Sequence, residues 1–247
     1  MIHVAIPAYN EEHLVAATIE AATYSLREAF GAERISIWVV DDGSADKTAS
    51  AASAAGARVM RLGANKGKGR ALRELLYRTE EFVVHGDDVV LLLDADLGVA
   101  AREAPALAKP VVDGACDMAI AAFPPAMRKG GFGFVKRLAT RAIEEACGFA
   151  PRSPVSGQRA LAAWILPKIE PAFAYGFGLE VAMTLLACEA GARILEVETD
   201  MRHRETGRDL MGFLHRFRQY RDIKKVLKDV RRDRKRSRSQ PGEDVAR

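Results

Sequence analysis

Cysteine is scarce in this 247-residue sequence: Cys116, Cys147 and Cys188 are the full set. They are odd in number, widely spaced and without a C-x-x-C pair, which speaks against a disulfide framework or a cysteine zinc site and fits a reducing compartment. Long apolar runs are missing too. The longest stretches, near residues 89–93 and 160–166, fall far short of the roughly 18 residues that span a bilayer, so any membrane contact is expected to be peripheral. No basic, apolar and small-residue series precedes the strand-like Ile2, Val4 and Ile6, so no signal peptide is expected. A cytoplasmic location, extending to the inner face of a membrane, follows as the expectation. Internal repeats are absent.

What the chain does have is an ordinary globular composition, with 49% hydrophobic and 28% charged residues, enough to bury a sizeable core. Its charge is uneven. Residues 201–247 carry 16 Lys or Arg against 7 Asp or Glu, whereas residues 1–200 carry 21 against 26. A basic tail on an acidic body points to an anionic partner, whether phosphate, membrane surface or nucleic acid, with a solvated helix end as the plainer explanation.

Short β-branched runs alternate with longer helical patterns through the first half, the signature of an α/β fold with a mostly parallel sheet flanked by helices. Strands are expected at residues 2–6, 35–40, 57–61, 89–94, 118–121 and 193–197, and helices at 11–30, 47–55, 67–82, 135–147 and 179–190. From Leu210 onward apolar residues recur at spacings of three and four beside a very basic face, which predicts an amphipathic helix. The expected organisation is one α/β domain over 1–209, a basic amphipathic helix over 210–232 and a disordered tail over 233–247.

Polar clusters fall where the strands should end, the edge at which open α/β sheets bind ligands. Asp94-Ala95-Asp96 follows the apolar run 89–93. Two carboxylates at i and i+2 on a strand point the same way and can reach one hard cation; strand-end acids also serve as helix caps. Residues 7–12, Pro-Ala-Tyr-Asn-Glu-Glu, follow the first strand. There Pro7 can end the strand, Asn10 can cap the next helix and Glu11 and Glu12 suit its dipole, while an exposed Tyr9 could contact a nucleobase. Asp41-Asp42-Gly43-Ser44 ends the second strand. Gly43 and Ser44 are turn residues, but two adjoining carboxylates at a buried strand end are costly unless ligand N–H or hydroxyl groups satisfy them. Gly67-Lys68-Gly69 lacks the G-x-G-x-x-G spacing and does not follow the first strand, which argues against a dinucleotide fold.

Together with Ser156-Gly157-Gln158-Arg159, these motifs resemble family 2 glycosyltransferases, inverting enzymes with a single GT-A type domain, over residues 2–225. The resemblance implies transfer of a hexosyl group from a nucleoside diphosphate sugar, either UDP- or GDP-linked, with Mg²⁺ or Mn²⁺. It implies that Pro7, Ala8, Tyr9, Glu11 and Asp41 or Asp42 hold base and ribose. Gly67 and Lys68 would approach sugar and phosphates, and Asp94, Ala95 and Arg159 would belong to the same donor site. Asp94 and Asp96 would carry the metal, with Asp96 catalytic through it. The glycerate-transferring branch takes a further ligand from a late histidine, which places His203 in the metal set, all the more because Gly98 stands where polyprenyl-phosphate branches often have a ligand.

Glu180, after the glycines of residues 175–178, could bind sugar hydroxyls or act as a general base, or could simply suit a helix start. Arg204 and Arg208, with Arg202, suit phosphates because guanidinium offers paired donors at any cellular pH. Two acceptors stay open: a lipid phosphate, with the basic helix lying on the membrane surface, or a soluble phosphorylated or hydroxyl compound. The terminal helix also leaves a homodimer open. The non-enzymatic alternative is a nucleic-acid or anionic-membrane binding module built on the basic tail. It leaves the acidic clusters unexplained, and specific nucleic-acid binding is not expected because the tail has no aromatics interleaved for stacking.

Overall fold

The computed structural model describes residues 1–123 and 133–201 and, further on, residues 221, 222, 224–226, 228 and 229. The elements run β1 (Ile2–Ala8), α1 (Val15–Phe30), β2 (Ile35–Asp41), α2 (Thr48–Ala54), β3 (Arg58–Arg61), α3 (Lys68–Arg78), β4 (Val89–Leu92), α4 (Ala104–Val112), β5 (Met118–Ala122), α5 (Gly133–Cys147), β6 (Arg159–Ala162), α6 (Leu166–Ile169), α7 (Leu179–Glu189) and β7 (Ile194–Glu198). Seven strands form one sheet in the order β3-β2-β1-β4-β6-β5-β7. All pairings are parallel except those of β6, which runs antiparallel to β4 and β5. This is the expected α/β architecture.

Each central strand is apolar on both faces, as a sheet covered by helices on either side requires. Ile2, Val4 and Ile6 face one core with Ile19 of α1 and Leu107 of α4. Ala5, Trp38 and Val40 face the other with Leu72 and Leu75 of α3, Ile143 of α5 and Leu185 of α7. Burying one such Leu or Ile stabilises the fold by about 1.5–3 kcal/mol, so truncating the fully buried Leu91 to Ala would cost about 2–5 kcal/mol.

Two sequence expectations are corrected here. Pro7 does not end β1: it pairs in register with Val40, and β1 continues to Ala8. Its missing N–H is harmless because pairing with β4 ends at Ala5, and Leu93 N–H closes that side on the Ala5 carbonyl at 3.2 Å. Asn10 does not cap α1, which begins at Val15 after Leu14 with no side-chain cap. Asn10 instead takes a positive φ of 56°, a conformation Asn tolerates, and its Oδ1 accepts from Ala45 N–H at 3.0 Å.

The carboxyl ends of β1, β2 and β4 lie at one edge of the sheet. Strand order reverses between β1 and β4, which opens a crevice at the switch point. The expected helix over 210–232 falls largely outside the described residues, and the tail over 233–247 wholly so; residues 221, 222, 224–226, 228 and 229 are helical.

Candidate active site at the switch point

A lysine held between two carboxylates lies at the carboxyl edge. Lys68 Nζ is 2.6 Å from Asp94 Oδ1 and 3.3 Å from Glu180 Oε1, and Gln158 Nε2 donates to Asp94 Oδ2 at 2.9 Å. The side chains of Lys68, Asp94 and Glu180 keep only 31%, 20% and 13% of their surface exposed. Burial alone would lower the Lys68 pKa, but the charges of Asp94 and then Glu180 outweigh it and raise the pKa above the ordinary lysine value. Lys68 is therefore an ammonium at any cellular pH.

The surroundings explain why this cluster forms. Gly67, at φ 89°, takes a conformation glycine adopts without strain, and it starts α3. The turn before α3 is held by Asp42, whose Oδ1 accepts from Lys66 N–H at 2.8 Å and whose Oδ2 accepts from Gly67 N–H at 2.7 Å. A Cβ on Gly69 would lie 2.7 Å from the Phe173 carbonyl, so only glycine lets α3 come this close. A Cβ on Gly157 would lie 2.4 Å from Lys68 Nζ and 2.7 Å from Asp94 Oδ2; that glycine leaves room for the ion pair. Thr18 of α1 fixes the turn after β4, donating to the Ala95 carbonyl at 2.7 Å and accepting from Gly98 N–H at 2.8 Å.

Asp94 and Asp96 are both partly buried, while Ala95 between them packs in the core that contains α1. The strand expected over 89–94 ends at Leu92, so Asp94 and Asp96 lie in the loop that follows it and do not share a strand face; acids in such a loop can still suit a hard divalent cation. Among the described residues, however, no three His, Cys, Asp or Glu side chains gather as a metal site. His203, Arg204 and Arg208, expected to complete the metal and phosphate contacts, lie outside the described residues, as does Arg202.

The doubled carboxylate at 41–42 is satisfied largely by the protein's own amides, contrary to the expectation that a ligand must do so. Asp42 spends both oxygens on the turn before α3, so it braces the loop that carries Lys68. Asp41 is fully buried, and its Oδ1 accepts from Ser44 N–H at 2.9 Å. Its Oδ2 lies 3.3 Å from Arg61 Nε but has no aligned hydrogen-bond donor, so Arg61 balances its charge and leaves an acceptor open. Tyr9 is 45% exposed just past β1, beside the partly buried Pro7 and buried Ala8. Glu11 N–H donates to Thr48 Oγ1 at 2.8 Å, which ties this loop to α2.

Arg159 is where the expectation fails. Its side chain is fully buried, donating to the Ser156 carbonyl at 3.0 Å and to Thr184 Oγ1 at 2.9 Å. Burial pushes its pKa down to about 10 despite the opposing charges of Glu180 and Glu196. It stays charged and ties the 153–158 turn to α7, with no surface left for a donor. The neighbouring Gln158 reaches Asp94 instead. The Ser156-Gly157-Gln158-Arg159 motif thus meets the crevice through Gln158 and Gly157, while Thr18, inside a helical pattern, has no local signature.

The family model for glycosyl transferase family 2 matches residues 3–166. The chain belongs to this family. The match contains the crevice strands, Lys68, Asp94 and Gln158, so the non-enzymatic reading of the basic tail is set aside. Solved structures share the fold of this glycosyltransferase. Glucosyl-3-phosphoglycerate synthase from Mycobacterium tuberculosis with phosphoglyceric acid superposes with a TM-score of 0.64 at 22% identity, covering 93% of this chain and 79% of that one. Its complex with Mn²⁺, UDP-glucose and phosphoglyceric acid gives 0.62 at 24% identity over the same shares. Mannosyl-3-phosphoglycerate synthase from Rubrobacter xylanophilus gives 0.63 at 22% identity, covering 100% of this chain and 78% of that one. No curated protein matches the chain in sequence.

Proposed function

We propose that this glycosyltransferase moves a hexosyl group from a nucleoside diphosphate sugar, with uridine diphosphate the favoured carrier, to a small phosphorylated acceptor such as a phosphoglycerate. The observation that carries the reading is the Lys68 ammonium held between Asp94 and Glu180 at the switch point. It sets a fixed positive charge where a diphosphate leaving group would gather negative charge. Support for the carrier and acceptor comes from the ligands named for structures of the same fold.

Tyr9 would hold the base through its exposed ring, while the fully buried Asp41 would brace the end of β2 through Ser44. Asp94 and Asp96 would hold Mn²⁺ or Mg²⁺, which on binding would neutralise the departing diphosphate. Lys68, held beside Asp94, would meet the phosphate oxygens. Glu180 is read as a charge-balancing group that orients Lys68 and meets sugar hydroxyls, because its carboxylate is held against that ammonium. Inversion at the anomeric carbon is the family expectation, and proton NMR of the product's anomeric signal decides it. A phosphorylated acid brings its own charge to the site, and Arg202, Arg204 and Arg208 would meet it.

A soluble acceptor is favoured over a lipid phosphate by Val226, which is fully buried in the core; at that position the C-terminal segment packs on protein. Incubating the enzyme with UDP-glucose, Mn²⁺ and 3-phosphoglycerate, and following UDP release together with product mass, tests the proposal. UDP release dependent on the acceptor and abolished in Asp96→Ala is expected. Transfer to a polyprenyl phosphate in vesicles but not to 3-phosphoglycerate would overturn the acceptor assignment.

A further inference from the structure

Glu180 sits two residues past Gly178, the residue that opens α7 without any side-chain cap. What packs against the 176–178 turn is the C-terminal helical segment. Asp222, Val226 and Asp229 recur at i, i+4 and i+7, one face of a helix. A Cβ on Gly178 would lie 2.7 Å from Val226 Cγ2 and 3.2 Å from the Asp222 carbonyl oxygen, and one on Gly176 would lie 3.1 Å from Asp222 Oδ2. Tyr175 donates its hydroxyl to Asp229 Oδ2 at 3.3 Å. On the exposed side of the segment stand Arg221, Lys224, Lys225 and Lys228.

From this packing we infer that the C-terminal segment is a positioning element of the transfer site, with Val226 seated on Gly178 to fix the start of α7 and so hold Glu180 against Lys68. The inference rests on reading Lys68, Asp94 and Glu180 as that site. It gives Gly178 a purpose: it admits the helix at a distance at which a Cβ would clash with Val226. It also assigns the segment a role inside the catalytic domain, because its buried face is occupied by its own protein.

The two sides of this contact are tested together, in the full chain, with Gly178→Ala, Val226→Ala and the double variant. Two readouts are used: amide hydrogen exchange across residues 176–184, and transfer kinetics with UDP-glucose and 3-phosphoglycerate. Gly178→Ala should drive the segment off, speed exchange in 176–184 while leaving β4 protected, and lower kcat by about 10- to 100-fold, the order that a misplacement of about 1 Å brings. The KM for UDP-glucose should move by less than about threefold, because a positioning defect falls on the reacting geometry and spares binding. Val226→Ala makes room for the new methyl group, so the double variant should recover towards wild type in both readouts. That rescue is the non-additivity of residues in contact.

Unchanged exchange in both single variants, or a double variant no better than Gly178→Ala alone, would overturn the inference. Thermal melts show which variants are folded, and the milder Val226→Ala carries the exchange test if Gly178→Ala does not fold. Full activity in Glu180→Gln would instead remove the site reading while leaving the exchange result intact, so the two failures are told apart.

Discussion

Replacing Lys68 with methionine keeps most of the side chain's apolar stem and deletes the charge shared by two carboxylates. In the native protein Nζ lies 2.6 Å from Asp94 and 3.3 Å from Glu180, so the two carboxylate oxygens can be no farther apart than those distances laid end to end. At about 6 Å and an effective dielectric constant of about 20, their bare repulsion is about 3 kcal/mol. All three side chains keep some solvent contact, and solvent screening reduces the net loss to about 1–2 kcal/mol. For a chain of this size the loss corresponds to a fall in Tm of about 3–6 °C.

The raised pKa of Lys68 fixes the sign of the pH dependence. A folded pKa above the unfolded one contributes stability that is fully present below the unfolded value and disappears only as pH rises through the folded one. The wild-type contribution is therefore constant from pH 6 to 9, and the deficit of the variant should appear across that whole range. Manganese without nucleotide should raise the Tm of Lys68→Met more than that of wild type, since a divalent cation replaces the missing counter-charge. Scanning calorimetry of both proteins with and without Mn²⁺ measures this. A variant as stable as wild type, with no larger metal response, would refute the assignment of Lys68 as counter-ion to the site.

Gly157→Ala should fold with a Tm close to wild type yet lose transfer activity by about 100-fold, because the atoms that must give way are Lys68 Nζ and Asp94 Oδ2; steady-state kinetics beside a thermal melt separates the two effects. Asp42→Ala removes the acceptor of the Lys66 amide and leaves the Gly67 amide only Asn65 Oδ1; with both residues exposed it should cost about 1 kcal/mol with weaker UDP binding by calorimetry. Arg159→Leu should lower Tm and leave UDP affinity unchanged, the reverse of the pattern expected for a donor-binding arginine. Asp117 has its pKa drawn down to about 2, first by its hydrogen bonds from Arg193 and against the opposing effect of burial. A depressed carboxylate contributes stability above its unfolded pKa and loses it as pH falls through the folded one, so Asp117→Asn should remove about 1 kcal/mol at pH 7, after discounting for the exposed Arg193, and only a small part of that near pH 2.

Strand-end chemistry was legible because it is local. Apolar runs followed by Asp41-Asp42 and Asp94-Ala95-Asp96 mark parallel strands and their polar ends in one stretch, and the carboxyl ends of β2 and β4 lie at one edge of the sheet. β6 escaped notice because its four residues, Arg159–Ala162, follow a proline- and glycine-containing loop and begin with a charge that reads as surface. That charge, Arg159, is buried against the Ser156 carbonyl and Thr184, the latter 25 residues away in the chain. α4 was hidden by its Ala-rich composition and by Pro110 inside it. The pairing of Lys68 with Glu180 joins residues far apart in sequence and has no local signature; it exists because α3 and α7 both begin beside the end of β4. Asn10 matches the composition of a helix cap, yet its loop is held by Ser44 from the loop after β2 and Thr48 at the start of α2, a tertiary alternative that spacing cannot show.

The central claim is that this crevice grips a nucleoside diphosphate through Lys68 and an acid-held divalent cation. Titrating UDP and GDP into the folded protein by calorimetry, with and without Mn²⁺, tests it most directly. The account predicts that UDP binds, that Mn²⁺ tightens it by about tenfold or more, the factor that one added charge contact of about 1.4 kcal/mol brings, and that Asp96→Ala abolishes the tightening. Folded protein that binds neither nucleotide, or a metal effect that survives intact in Asp96→Ala, would contradict it.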